Sequence, residues 1–313
     1  MSLSVILQQM GVICILVAIG IFLEKRGKVS SLTSKQISAI VVDICNPALI
    51  LASILSGDIT ATHKDLLIGA GLGAAFYALL VVLGFLFPHL LRVPKDERRF
   101  YHLMVVYTNT GFLGIPVARA VLPANSILYV IVINVFYSLF FYTHGLAILG
   151  NGKSGEKRRF SPLMLLNPGI LMALAALAVF WFDVTLPPIL ANTAIYVGNA
   201  TVFLSMMLLG INIARSSLTS HLRNARIWAY IVLRMILLPV GIAVLMNALS
   251  FDPAATLAMV LMAAVPIGNL PMIQAEKIGE DTRLLSSSIA VTTAVSMVTI
   301  TVIISVLTAW LIK

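Results

Sequence analysis

Two stretches of the 313-residue chain combine polar side chains with helix breakers: Asn109-Thr110-Gly111-Phe112-Leu113-Gly114-Ile115-Pro116 and Pro266-Ile267-Gly268-Asn269-Leu270-Pro271. Each lies near the middle of an apolar run. Proline removes an amide donor and clashes with the preceding turn, and glycine loosens what remains, so both stretches are expected to unwind. Unwound backbone facing lipid leaves costly orphan groups, so such stretches persist where they pack in protein or line a wet cavity. Pro116 and Pro271 suit the first turn of a helix that restarts after a break. The free amides and positive dipole ends of two restarting helices make a site for an anion. Asn109 and Asn269 add uncharged donors and acceptors without the desolvation cost of a buried charge. The chemistry is reversible capture of a carboxylate, with Asn109, Gly111, Gly114, Pro116, Asn269 and Pro271 as the substrate-binding positions.

A second set could couple or gate. Asp43 is the one acid well inside an apolar run, roughly 12 Å from the basic end of its helix at ~1.5 Å rise per residue. A membrane carboxylate faces protein or water because burying its charge at a helix centre costs on the order of 3 kcal/mol. Proton coupling, structural pairing and snorkelling to the interface remain open for it. Asn46 follows one turn later, and Arg119 and Gln274 follow the two breaker stretches at matched positions. Arg119 either snorkels or draws anions inward. Arg234 is expected to snorkel or to pair with a carboxylate, with substrate contact left open, and Glu276 and Lys277 to be solvated interface residues, with a gating role left open. The five histidines fall near the ends of apolar runs and read as interfacial, with a proton relay open for His102 and His144.

These residues sit in an unusually apolar chain. Hydrophobic residues make up 60% and charged residues 11%, which excludes a soluble domain and points to a polytopic membrane protein. Ten spans are expected, at 3–23, 35–56, 65–87, 100–122, 125–149, 163–182, 189–213, 225–249, 254–276 and 284–311. All should be helical, since the runs lack the period-two alternation of a membrane barrel. The first carries no basic residue ahead of it and no cleavage site after it, so it reads as a retained span. Of 21 Lys and Arg residues, 17 lie in the odd-numbered connections or, as Lys35 and Arg226, at the span edges beside them. The positive-inside rule then makes those connections cytoplasmic and puts both termini outside, in a multi-pass protein of the cell membrane. The net charge of +9 therefore serves orientation rather than nucleic-acid binding. Cys14 and Cys45 both lie in apolar runs and support neither a disulfide framework nor a metal site. Gly152-Lys153-Ser154 lacks the upstream glycine and strand of a phosphate-binding loop. Neither a His-Glu-x-x-His motif nor a Ser/His/Asp set at one depth is visible, so an enzyme is not expected.

Five helices per half would give the halves opposite orientations. A shift of 153 places Asn46 on Asn199 and Gly57 on Gly210, and a shift of 155 places Gly114-Ile115-Pro116 on Asn269-Leu270-Pro271. The expected organisation is a first repeat at 1–149, a linker at 150–162 and an inverted second repeat at 163–313, with scaffold and transport subdomains drawn from both.

The run Asn109 to Pro116, the Asn46-Pro47 pair, Gly198-Asn199-Ala200-Thr201 leading to Leu208-Leu209-Gly210, and Pro271 to Gly279 followed by Ser286 to Thr293 resemble the auxin efflux carrier family over nearly the whole chain. The resemblance implies two inverted five-helix repeats, as in bile-acid symporters, with crossed broken helices 4 and 9. It also implies a carboxylate site at the positions matching Asn109, Pro116, Asn269 and Pro271, and it leaves a homodimer open as the assembly. The link from Gly150 to Pro162 is short where many plant carriers have a long loop, which argues against auxin itself. Phe203 stands where relatives often have proline, so the kink at Pro47 should lack a partner on the seventh helix.

The leading expectation is a secondary active transporter of small organic anions working by alternating access. The alternatives are an anion channel, or a sodium- or proton-coupled symporter or antiporter of another solute class. No resident cofactor is expected. Unwound carbonyls could coordinate sodium as readily as Asp43 could carry a proton, so the coupling ion stays open.

Overall fold

A computed structural model describes residues 3–55, 61–150, 168–215 and 224–311. The elements are α1 (Leu3–Lys25), α2 (Ser31–Leu55), α3 (His63–Leu90), α4 (Arg98–Val106), α5 (Thr110–Val121), α6 (Ala124–Gly150), α7 (Pro168–Trp181), α8 (Pro188–Arg215), α9 (Ala225–Ala248), α10 (Pro253–Ala264), α11 (Asn269–Lys277) and α12 (Arg283–Leu311). Among the described residues the only strand-like pairing is one isolated bridge. Among the described residues, which are helical apart from turns and connections, seven helices are long and apolar enough to cross a membrane, and the chain is a multi-pass membrane protein. The remaining expected spans are shorter: two are interrupted, and one is described only from Pro168. Residues 151–162 of the expected linker, with its basic cluster, and Gly57 lie outside the described residues.

Helix contacts fall into two groups. In one, α1, α2, α7 and α8 pack on one another; in the other, α3, α4, α6, α9 and α10 do; α5, α6 and α12 touch both. Surface and core are alike apolar, as expected where hydrocarbon is the solvent. Steric closeness, not polarity, therefore sets the packing. At the crossing of α1 and α8, a Cβ on Gly20 would lie 2.0 Å from the Met207 carbonyl oxygen, and one on Gly210 would lie 2.0 Å from that of Val17.

Three helices contain a wide turn that ends in front of a proline. The amides of Asn46, Ile115 and Leu238 bond five residues back, to Val41, Thr110 and Leu233, and the next residues are Pro47, Pro116 and Pro239. A proline ring collides with the carbonyl four residues earlier, and the looser turn opens the space it needs. In α8 the chain winds without such a turn past Phe203, so the α2 distortion has no counterpart there, as the phenylalanine implied.

Gly210→Ala should lower the unfolding temperature in detergent by several degrees, because its methyl would meet backbone that cannot step aside. Gly71→Ala, whose Cβ would meet nothing within 4 Å, should leave that temperature unchanged.

Candidate functional site: two helix interruptions that meet

The first interruption covers residues 107–109, between α4 and α5, and the second covers 265–268, between α10 and α11. Both lie inside the protein: every residue from Phe100 to Val106 and from Ala255 to Ala264 is buried. They also touch. Thr108 and Ile267 form an antiparallel bridge, the Asn109 amide donates to the Pro266 carbonyl at 2.7 Å, and the Gly268 amide donates to the Tyr107 carbonyl at 3.0 Å. A Cβ on Gly268 would sit 2.8 Å from the Thr108 carbonyl oxygen, so only glycine permits this approach. Orphan backbone groups from one broken helix are thus satisfied by the other.

The unwound stretches are shorter than expected and begin earlier. Thr110 to Pro116 is helical, wound first as the wide turn and then as regular helix, with Pro116 in its first α-turn. Pro271 lies within the first turn of α11. The extra residue of the wide turn absorbs Pro116, so the chain has no need to unwind around it. Asn109 caps the restart, its side-chain oxygen accepting from the Phe112 amide at 3.2 Å. The Thr110 hydroxyl donates to Asn134 on α6 at 3.1 Å, and the Ile267 amide donates to the Thr292 hydroxyl on α12 at 3.4 Å.

Arg234 corrects the sequence reading most sharply. It neither reaches an interface nor pairs with a carboxylate among the described residues, and its exposure is 0%. Its Nε donates to the Val105 carbonyl at 2.8 Å and its Nη1 to the Ala263 carbonyl. Those carbonyls belong to the last turns of α4 and α10, the two helices that end at the breaks. The Tyr230 hydroxyl adds a bond to the Met104 carbonyl at 2.7 Å. A helix carboxyl end carries roughly −0.5 of a charge, so two of them approximately balance one guanidinium.

The amino ends α5 and α11 face a cavity of about 330 Å³ lined by Asn109, Phe112, Ser205, Asn269 and Thr293. Its lining also includes Ser31, Lys35 and Arg215, at helix ends beside basic connections. Arg215 is ion-paired with Glu24 at 2.8 Å, which leaves the exposed Lys35 as the cation of this lining without an ion pair among the described residues. Gly111 lies beside this region, a Cβ there coming 3.4 Å from Asn46 Nδ2, and Asn46 Oδ1 is buried without a partner among the described residues. Gly114 packs instead against Met262 of α10.

The remaining candidates are not gathered here. Asp43 is exposed on the outer side of the α2 wide turn, flanked by the exposed Val42 and Ile44. Arg119, in the last turn of α5, and Gln274 are half-buried and line neither cavity. The side chains of Glu276 and Lys277 lie outside the described residues. His102 is buried and His144 half-buried with rings 5.0 Å apart, contrary to their interfacial reading, and His144 Nδ1 meets the Tyr107 hydroxyl at 2.8 Å. Sequence reasoning missed Asn134, Ser205 and Lys35 as site residues. Lys35 alone left a signal, as a cation at the start of a span.

A family model described as membrane transport protein matches residues 5–304. The chain belongs to this family. It is the auxin efflux carrier family, whose members are transporters rather than enzymes. An uncharacterized transporter of Methanothermobacter thermautotrophicus is 25% identical over 291 residues, covering 92% of this chain and 94% of that protein. A second, from Methanocaldococcus jannaschii, is 24% identical over 302 residues with the same coverage. Like them, this auxin efflux carrier family protein is a transporter.

Arg234→Met should cost about 2–5 kcal/mol, because two buried carbonyls lose their partner, read as a lower unfolding temperature in detergent. Gly268→Ala should abolish transport, the two breaks being forced apart, even where the protein still purifies as a monodisperse species.

Proposed function

We propose that this protein is a secondary active transporter of small organic anions, mono- or dicarboxylates, that works by alternating access. The observation that carries the proposal is the placement of Arg234. One buried cation answers the two carboxyl ends at the breaks, and the positive ends of α5 and α11 remain turned toward the Asn109 and Asn269 cavity. In a low-dielectric setting, amide donors and unbalanced positive dipole ends favour a negative charge. With its oxygen held by Phe112, Asn109 presents its Nδ2 donors, and Lys35 supplies a cation toward the basic end.

In this reading the chain crosses the membrane ten times as two inverted five-helix repeats, with the interrupted segments as crossed helices. The group of α1, α2, α7 and α8 is the scaffold, and the group holding the interruptions moves against it. The cavity reaches the end bearing Lys35 and Arg215, which the positive-inside rule makes cytoplasmic, so the conformation described is inward-facing. Asp43, Asn46, Arg119 and Gln274 remain coupling or gating candidates, sodium or protons the driving ion, and a homodimer the assembly.

Purified protein should gain thermal stability from its carboxylate, by about 2.7 kcal/mol at a hundred times Kd. Screening mono- and dicarboxylates with and without sodium across pH names both solute and coupling ion. In liposomes the wild type should exchange the labelled acid, and Asn109→Ala or Asn269→Ala should reduce exchange at least about tenfold, the loss of one to two charge-assisted hydrogen bonds. Unitary currents without counterflow would replace the carrier with a channel.

A further inference from the structure

A second cavity, of about 560 Å³, opens between α3, the start of α4 and the end of α6. It shares no lining residue with the Asn109 cavity, and nothing in the transport reading uses it. Its polar wall is built rather than incidental. His89 Nδ1 lies 2.7 Å from the Phe85 carbonyl, so that nitrogen donates and Nε2 presents a lone pair. Arg98 Nη1 lies 3.0 Å from that Nε2, and Arg98 Nε donates to the Val93 carbonyl at 3.0 Å. Two bonds thus fix the guanidinium at the cavity wall. Lys95 stands next to it, exposed.

The charge balance is positive. Lys95, Arg98 and Arg99 line the cavity against one carboxylate, Asp96, and among the described residues only Arg99 is ion-paired, to Glu280 at 2.6 Å. His102 forms part of the lining as well. It is 3% exposed, and neither ring nitrogen reaches hydrogen-bond geometry with a partner among the described residues, although the Gly84 backbone lies alongside.

Just outside this polar wall, α3 turns Phe85, Leu86 and Leu90 outward at 54–60% exposure. In a membrane protein such a face meets hydrocarbon. A free phosphate or nucleotide would have no use for it, whereas a molecule with a charged head and apolar tails would use both parts.

We propose that this cavity holds the phosphate headgroup of an anionic membrane phospholipid, with Lys95 and Arg98 on the phosphate and the acyl chains along Phe85, Leu86 and Leu90. The headgroup then sits at the amino end of α4, the first half of an interrupted helix, and ties it to α3. The shared ligand chemistry is a phosphate anion, and a lipid rather than a soluble phosphate is the source.

Native mass spectrometry of the full chain tests this. Released from detergent, the protein should retain phosphatidylglycerol in preference to phosphatidylcholine of the same chain length, and millimolar inorganic phosphate should not displace it. Lys95→Gln and Arg98→Gln should each weaken retention by about fivefold, the effect of one cation near an anionic headgroup. Lys25→Gln, at the end of α1, and Lys28→Gln, on the connection after it, should not. Lys95 is exposed, so Lys95→Gln keeps its fold and decides the matter even if Arg98→Gln does not purify. Equal retention of the two lipids, unchanged retention by Lys95→Gln, or displacement by inorganic phosphate would each overturn the proposal.

Discussion

One buried guanidinium holds the centre of this protein together. Breaking a helix inside a membrane exposes carbonyls at one end and amides at the other, with no water to take them. Here the two broken helices share the burden. Their unwound residues bond each other, and Arg234, reaching in from α9, takes a carbonyl from the last turn of each. A cation buried without an acid is otherwise hard to justify, since burial penalises the charge heavily. Two converging helix ends supply the negative potential that a carboxylate would have supplied. Neither the interruption nor the arginine is stable alone.

That neutralisation gives the other side of the crossing its character. With the carboxyl ends answered, the amino ends retain their positive field, and Asn109, Asn269 and a ring of hydroxyls sit where that field emerges. Asn109 engages its oxygen with its own helix, which leaves its Nδ2 donors outside that cap. Uncharged donors release a bound group more readily than a fixed cation would, a useful property where a solute must be bound and let go.

How much of this could be read from sequence depended on the interaction involved. The two breaker stretches were legible because Gly and Pro act locally, through φ and the missing amide, and the structure interrupts both segments there. The extent of unwinding was not: Pro116 is accommodated by a wide turn whose register shows only in the hydrogen bonds of Ile115. Arg234 was visible as a cation in an apolar span, but its partners are carbonyls of Val105 and Ala263, 129 and 29 residues away, and backbone groups leave no compositional trace. Asp43 was conspicuous for its charge, yet a helix apolar on every side gives no periodicity to say which way a given residue points. Its exposed position on α2 is fixed by packing against α8.

The wide turns ahead of Pro47, Pro116 and Pro239 amount to stored slack. Each holds one more residue than a regular helix would over the same bonds, and a single residue corresponds to about 100° of rotation about the axis. Rewinding at any of them would swivel the segment beyond while disturbing only a few hydrogen bonds. These helices thus carry internal swivels at the depth where the protein is otherwise most rigidly cross-braced, and reorientation of the walls need not wait for a whole helix to tilt.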